Sequence, residues 1–171
     1  MKTITRFALT TVAALTIAST VSAAQNTATT SASANARIIA PITIVKNVDL
    51  NFGDVIPSAA VGTVIVDPAG ARTSAGGASL GNSTGVAAAS FTVGGAKSAT
   101  YAITLPAAPI TITNGAANMT VGTFTSSPVA TGALDATTGT QTLTVGATLN
   151  VGATQATGSY TGTFNVTVTY N

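Results

Sequence analysis

Apolar and polar residues alternate with a period of two along most of the chain, and the alternation breaks at Gly, Pro, Asn and Asp. A period of two places successive side chains on opposite faces of an extended backbone, so it predicts strands. Ala32, Ala34, Ala36, Ile38 and Ala40 share one face, and Ser33, Asn35, Arg37 and Ile39 the other, which predicts a half-buried strand ending at Pro41. The signal resumes in ITIV (42–45) and in VDLNFGDVI (48–56), where Gly53 predicts a bend or bulge. VGTVIV (61–66) stops at the turn signal Asp67-Pro68, and residues 69–85, rich in Gly, Ala and Ser, read as one long loop. AAASFTV (87–93), TYAITL (100–105), PITIT (109–113), MTVGTF (119–124), TQTLTVGATLNV (140–151) and SYTGTFNVTVTY (159–170) complete the set. Asn114-Gly115 is a hairpin signal.

About eight short strands separated by turn signals predict an all-β fold. The architecture expected is an immunoglobulin-like antiparallel β-sandwich, with a small closed β-barrel as the alternative. The closing segment is the most regular. Tyr160, Gly162, Phe164, Val166, Val168 and Tyr170 lie on one face, and Ser159, Thr161, Thr163, Asn165, Thr167 and Thr169 on the other. Alternation this strict asks for an apolar surface under one face. Tyr101, Phe124, Tyr160, Phe164 and Tyr170 occupy alternating strand positions and read as core side chains rather than a sugar-stacking platform.

The start of the chain has a different pattern. Lys2 and Arg6 precede an apolar stretch from Phe7 to Ala18, and Val21-Ser22-Ala23 is a small-x-small cleavage site. That order predicts a secretory signal peptide over residues 1–23. The stretch is short of the roughly 20 residues that span a bilayer, and no later run is longer, so no membrane span is expected in the mature chain. Residues 24–36 are small and polar, and with 37–40 they read as an N-terminal arm ahead of one domain, 41–171.

Removing the leader also removes the formal charge of +2. Arg37, Lys46, Arg72 and Lys97 then balance Asp49, Asp54, Asp67 and Asp135. A neutral chain has no electrostatic footprint for nucleic acid or anionic lipid, and little self-repulsion between copies. The chain has no His, Cys, Glu or Trp, which removes the usual general base, the thiolate nucleophile and the best transition-metal ligands. No catalytic, cofactor-binding or metal residues are assigned, and no enzyme activity is expected. Gly94-Gly95-Ala96-Lys97-Ser98 lacks the glycine before Lys and the following helix of a phosphate loop, so it reads as a hairpin turn. Asp49 and Asp54 flank the bend without the spacing of a calcium loop and read as turn residues.

Gly158 is the fourteenth residue from the end and Tyr170 the penultimate one, with the alternating apolar segment between them. In this the chain resembles subunits of chaperone–usher pili. DLNFGDVI (49–56) and GATLNVGATQATGSYTGTFNVTVTYN (146–171) make the mature chain similar to a family of secreted Gram-negative proteins of unknown function. LNFG (50–53) and the closing strand also resemble the spore-coat-U-type, or archaic, pilins. The resemblance implies an incomplete immunoglobulin-like sandwich that lacks its last strand. Its groove would be bordered by residues 159–170 and filled by the arm, 24–40, of another subunit, giving a homopolymer at the cell surface or outside the cell. It also implies two partners, a periplasmic chaperone that holds the closing strand and an outer-membrane usher. The physics would be strand addition, with main-chain hydrogen bonds for affinity and alternate side chains for fit. Two features depart from that pattern: the related pilins often carry a disulfide near the first strand, and their donor arms are bulkier than Ala32, Ala34 and Ala36. An arm folded back on its own domain is therefore one alternative. Another, from a different class, is a self-contained secreted binding module for glycan or a host surface.

Overall fold

The computed structural model describes residues 26–171. The signal peptide expected over residues 1–23 lies outside the described residues. The chain divides into two units, Met1–Ala36 and Arg37–Asn171. In the first unit, residues 26–36 form neither strand nor helix, so the strand expected from Ala32 does not form there. Alanine buries too little apolar area to offset the entropy of ordering a strand by itself.

The second unit is an antiparallel β-sandwich. Its strands are β1 (Thr43–Val48), β2 (Val55–Ile56), β3 (Gly62–Val66), β4 (Arg72–Gly76), β5 (Ser79–Leu80) and β6 (Ala89–Gly94). They continue as β7 (Thr100–Thr104), β8 (Ile110–Thr113), β9 (Asn118–Ser127), β10 (Thr131–Ala133), β11 (Thr140–Val151) and β12 (Thr167–Tyr170). β11 is the spine. One edge pairs with β9. The other edge pairs first with β6, along Thr140–Val145, and then with β3, along Ala147–Val151. β1 extends β6, β4 extends β3 and β8 extends β9, which makes a seven-stranded sheet that forks where β11 passes from one partner to the next. β10, β7 and β12 form a second sheet, and β2 and β5 a short third one.

The spine carries the core on one face. Leu143 and Val145 belong to a cluster with Ala89, Val93, Tyr101 and Leu134. Ala147, Leu149 and Val151 belong to a second cluster with Val64, Ala78 and Val121. Each Leu or Val taken fully out of water contributes about 1.5–3 kcal/mol, so this one strand anchors both halves of the interior.

Three expectations are corrected. Residues 69–85 are not one loop but contain β4 and β5. The turn at 95–99, closed by an Ala99 N–H to Ala96 carbonyl bond of 3.1 Å, is not a hairpin, because β6 and β7 belong to different sheets. The expected strand over 159–170 is assigned only from Thr167 to Tyr170. Asn114-Gly115 does close the β8–β9 hairpin, with the Asn114 N–H donating to the Ala117 carbonyl at 3.2 Å.

Candidate functional site

The closing segment keeps its two faces but is paired only near its ends. Tyr160, Phe164, Val166, Val168 and Tyr170 are half-buried, while the odd-numbered residues from Ser159 to Asn171 are exposed. Thr161 makes an isolated antiparallel bridge to Thr113 of β8, in the large sheet. From Thr167 the chain pairs with β7, in the second sheet. Between these anchors it crosses from one layer to the other, which is why no ladder forms. Among the described residues, the backbone of residues 162–166 makes no hydrogen bond.

Side chains fix this crossing at both ends. Gly158 has φ +142°, a conformation that side chains other than glycine's rarely adopt. The Asn114 amide holds the adjacent Thr157 carbonyl at 3.3 Å. The Tyr160 hydroxyl donates to the Ala156 carbonyl at 2.7 Å and accepts from Gln155 Nε2 at 2.8 Å. The Phe164 ring lies 5.0 Å from that of Phe124, tilted by 36°. At the far end the Tyr170 hydroxyl accepts from the Ala96 N–H at 2.6 Å and donates to the Ala40 carbonyl at 2.9 Å. Tyr170 therefore ties the last strand to the root of the N-terminal arm.

Opposite residues 155–164 runs a second wall, built from residues 46–57, and between the walls lies a groove of about 950 Å³. Its floor is apolar and includes Phe91, Ile110, Ile112, Met119, Val121 and Leu149. Most of these belong to the core cluster at the Val151 end of β11, where Ile110, Ile112 and Met119 are only partly buried. The registers place the groove along the spine. Lys46 is opposite Phe91 and Phe91 opposite Leu143, so the groove begins near Leu143 and continues to Val151. An exposed Lys46–Asp49 ion pair of 2.6 Å stands at its rim.

The resemblance placed Gly158, Tyr160, Phe164, Val166, Val168 and Tyr170 on the groove's edge. Gly158, Tyr160 and Phe164 line it. Val166, Val168 and Tyr170 pack instead against the core cluster around Leu143. Of the proposed arm face, Ala32, Ala34 and Ala36 form no strand, Ile38 is 98% exposed, and Ala40 is held by Tyr170. The alternation alone does not mark the wall at 46–57 as part of a site, although it contains the LNFG motif.

Among the described residues, two titratable groups have displaced pKa values, and neither lines the groove. Burial raises the Tyr101 phenol. The Asp135 carboxyl is held below its usual range by the N–H groups of Thr138 and Thr137 and by the Thr138 hydroxyl. The groove thus offers an apolar floor and unpaired main-chain groups beside it, a combination suited to an extended strand.

A family model described as Domain of unknown function (DUF4402) matches residues 42–170. No curated protein matches the chain, and no solved structure does.

Proposed function

The chain belongs to the DUF4402 family, and on that premise we propose that it is a structural subunit of an extracellular or cell-surface assembly, polymerised by strand donation. The observation that supports this most is the open groove. An apolar floor, partly exposed at Phe91, Ile110, Ile112 and Met119, lies beside a main-chain segment, 162–166, that makes no hydrogen bond among the described residues. The occupant proposed is the N-terminal arm, residues 24–40, of another copy. The alternation of Ala32, Ala34, Ala36, Ile38 and Ala40 would face the floor, and Ile38 is already free in water. The arm's root is tied by Tyr170 at the Thr140 end of β11, while the groove runs toward the Val151 end. Donation between copies would then join unlike ends, and heterologous head-to-tail contacts generate open filaments wherever the rotation between copies does not close a ring. Export through the periplasm, with a chaperone covering the groove and an usher at the outer membrane, belongs to the same proposal.

The test is removal of residues 24–40. The remaining chain should no longer form ordered filaments by electron microscopy and should instead aggregate irregularly through its open groove. A peptide of residues 24–40 should restore solubility and raise the melting temperature. A ligand at a hundred times its Kd adds about 2.7 kcal/mol to stability. The same peptide with Ile38→Asp should do neither. A truncated chain that stays monomeric, soluble and indifferent to the peptide would refute strand donation and favour a self-contained binding module.

A further inference from the structure

We propose that Arg72 is a positioning residue that holds the 51–57 wall of the groove in the shape an incoming strand requires. The inference rests on the strand-accepting reading of the groove. Arg72 opens β4, far from the groove in sequence, and is half-buried. Its Nη1 donates to the carbonyls of Phe52 at 2.7 Å, Asp54 at 3.1 Å and Asn82 at 3.3 Å. Its Nη2 donates to the Gly81 carbonyl at 2.9 Å. One guanidinium thus gathers four main-chain acceptors from two separate segments.

Apart from Arg72, the wall is held by short pairing and by Phe52 and Val55 packed on the core. β2 and β5 pair over two residues each, and a two-stranded ribbon has almost no stability of its own. Nearby, the Asp54 N–H donates to the Asn82 carbonyl at 3.1 Å, the Gly81 N–H donates to the Asp54 carbonyl at 2.9 Å, and Asn51 bridges Ala87. The Asp54, Gly81 and Asn82 carbonyls of this patch are also acceptors for Arg72. A planar fork of donors can serve several acceptors at once, which a lysine ammonium on a flexible stem does not reproduce.

The LNFG motif is the receptor for that fork. Leu50 packs against both core clusters. The Asn51 carboxamide oxygen accepts the Gly53 N–H at 2.8 Å, making a tight local turn. Gly53 has φ +66°, and a Cβ there would lie 2.7 Å from Arg72 Nη1 and 2.6 Å from Val86 Cγ2. The turn leaves the Phe52 carbonyl on Arg72, while Phe52 lines the groove and packs on its core cluster. The β3–β4 turn supplies Arg72 from the other side, with the Asp67 carboxylate accepting the Ala71 N–H at 2.8 Å.

The experiment uses the full chain carrying Arg72→Met or Arg72→Lys. Amide exchange at Asp54 and Gly81 should accelerate at least about tenfold in both variants, the order expected when charge-assisted bonds are lost, with Leu143 and Val145 still protected. Binding of a fluorescent 24–40 peptide, measured by anisotropy at low chain concentration, should weaken by at least about tenfold. Wall amides as protected as in the wild type would overturn the assignment. So would wild-type peptide affinity in a variant whose wall amides have opened. Loss of protection at Leu143 and Val145 in both variants would make Arg72 a general stability determinant and also overturn it. A wild-type chain that takes up no peptide would instead refute the strand-accepting reading, and the exchange data would still decide whether Arg72 holds the wall.

Discussion

Phe164 and Thr163 are neighbours with opposite exposures, and substituting each by aspartate tests how the closing segment is held. Residues 162–166 make no main-chain hydrogen bond among the described residues, so side chains must carry their attachment. Phe164 is half-buried, with its ring 5.0 Å from Phe124. A fully buried Phe truncated to Ala costs about 3–5 kcal/mol. Half-burial scales this to about 2 kcal/mol, including the roughly 0.5–1.5 kcal/mol of an aromatic pair. A carboxylate at the same place adds a desolvation penalty, moderated because the groove is open to water, so Phe164→Asp should cost about 3–4 kcal/mol. Thr163 is exposed, and Thr163→Asp should stay within about 0.5 kcal/mol of wild type. Urea unfolding of the full chain measures both, and the comparison holds if the midpoint moves while the slope does not. Equal losses from the two substitutions would refute the argument, because they would mean that the alternation does not decide which side chains hold the segment.

Four further outcomes are expected. Tyr101→Phe removes the hydroxyl bond to Gln141 Oε1 at 2.8 Å, but the Ala133 N–H still satisfies that oxygen, so the loss should be about 1 kcal/mol by urea unfolding. Burial raises the Tyr101 pKa in the folded state, so its contribution should be complete below pH 10.0 and lost as pH rises through the folded value; melting curves of Tyr101→Phe should show a shallower alkaline decline. Tyr170→Phe should speed amide exchange at Ala96 with a stability loss of about 1 kcal/mol, and unchanged exchange would show that the hydroxyl does not tie the arm's root. Intact mass of exported protein should correspond to a chain starting at Ala24, and retention of Met1 would refute the targeting step.

Strands were legible where burial is regular. β11 coincides with TQTLTVGATLNV because Leu143, Val145, Ala147, Leu149 and Val151 all face the core and its neighbours cover both edges. β4 and β10 escaped because RTSAG and TGA carry almost no apolar signal. β4 is an edge strand paired only with β3, and its membership comes from main-chain bonds that a side-chain pattern does not record. The closing segment shows the converse. Its alternation gave the buried face from Tyr160 to Tyr170, yet a period of two says nothing about whether an edge is paired, and the chain changes sheets between Thr161 and Thr167.

The groove was legible on one side only. The 159–170 border came from the alternation and the resemblance, whereas the opposite wall depends on a contact between Phe52 and Arg72, and residues 69–85 read as a loop. A long-range bond from one arginine to main-chain carbonyls leaves no periodic trace. The arm is where sequence and groove bear on one another. Ala32, Ala34 and Ala36 are poor strand formers alone, consistent with their lack of strand structure. On the proposed reading the same smallness has a use. Ile110, Ile112 and Met119 are each half-buried along the groove and form part of its floor. Alanines can cover such a floor while letting the incoming backbone come close enough to bond the unpaired 162–166 segment. Bulkier side chains would hold it away. Affinity would then come mainly from main-chain bonds, with Ile38 as the one large anchor. Ile38→Asp should accordingly weaken the 24–40 peptide far more than Ala34→Ser does, and equal weakening would refute Ile38 as the anchor.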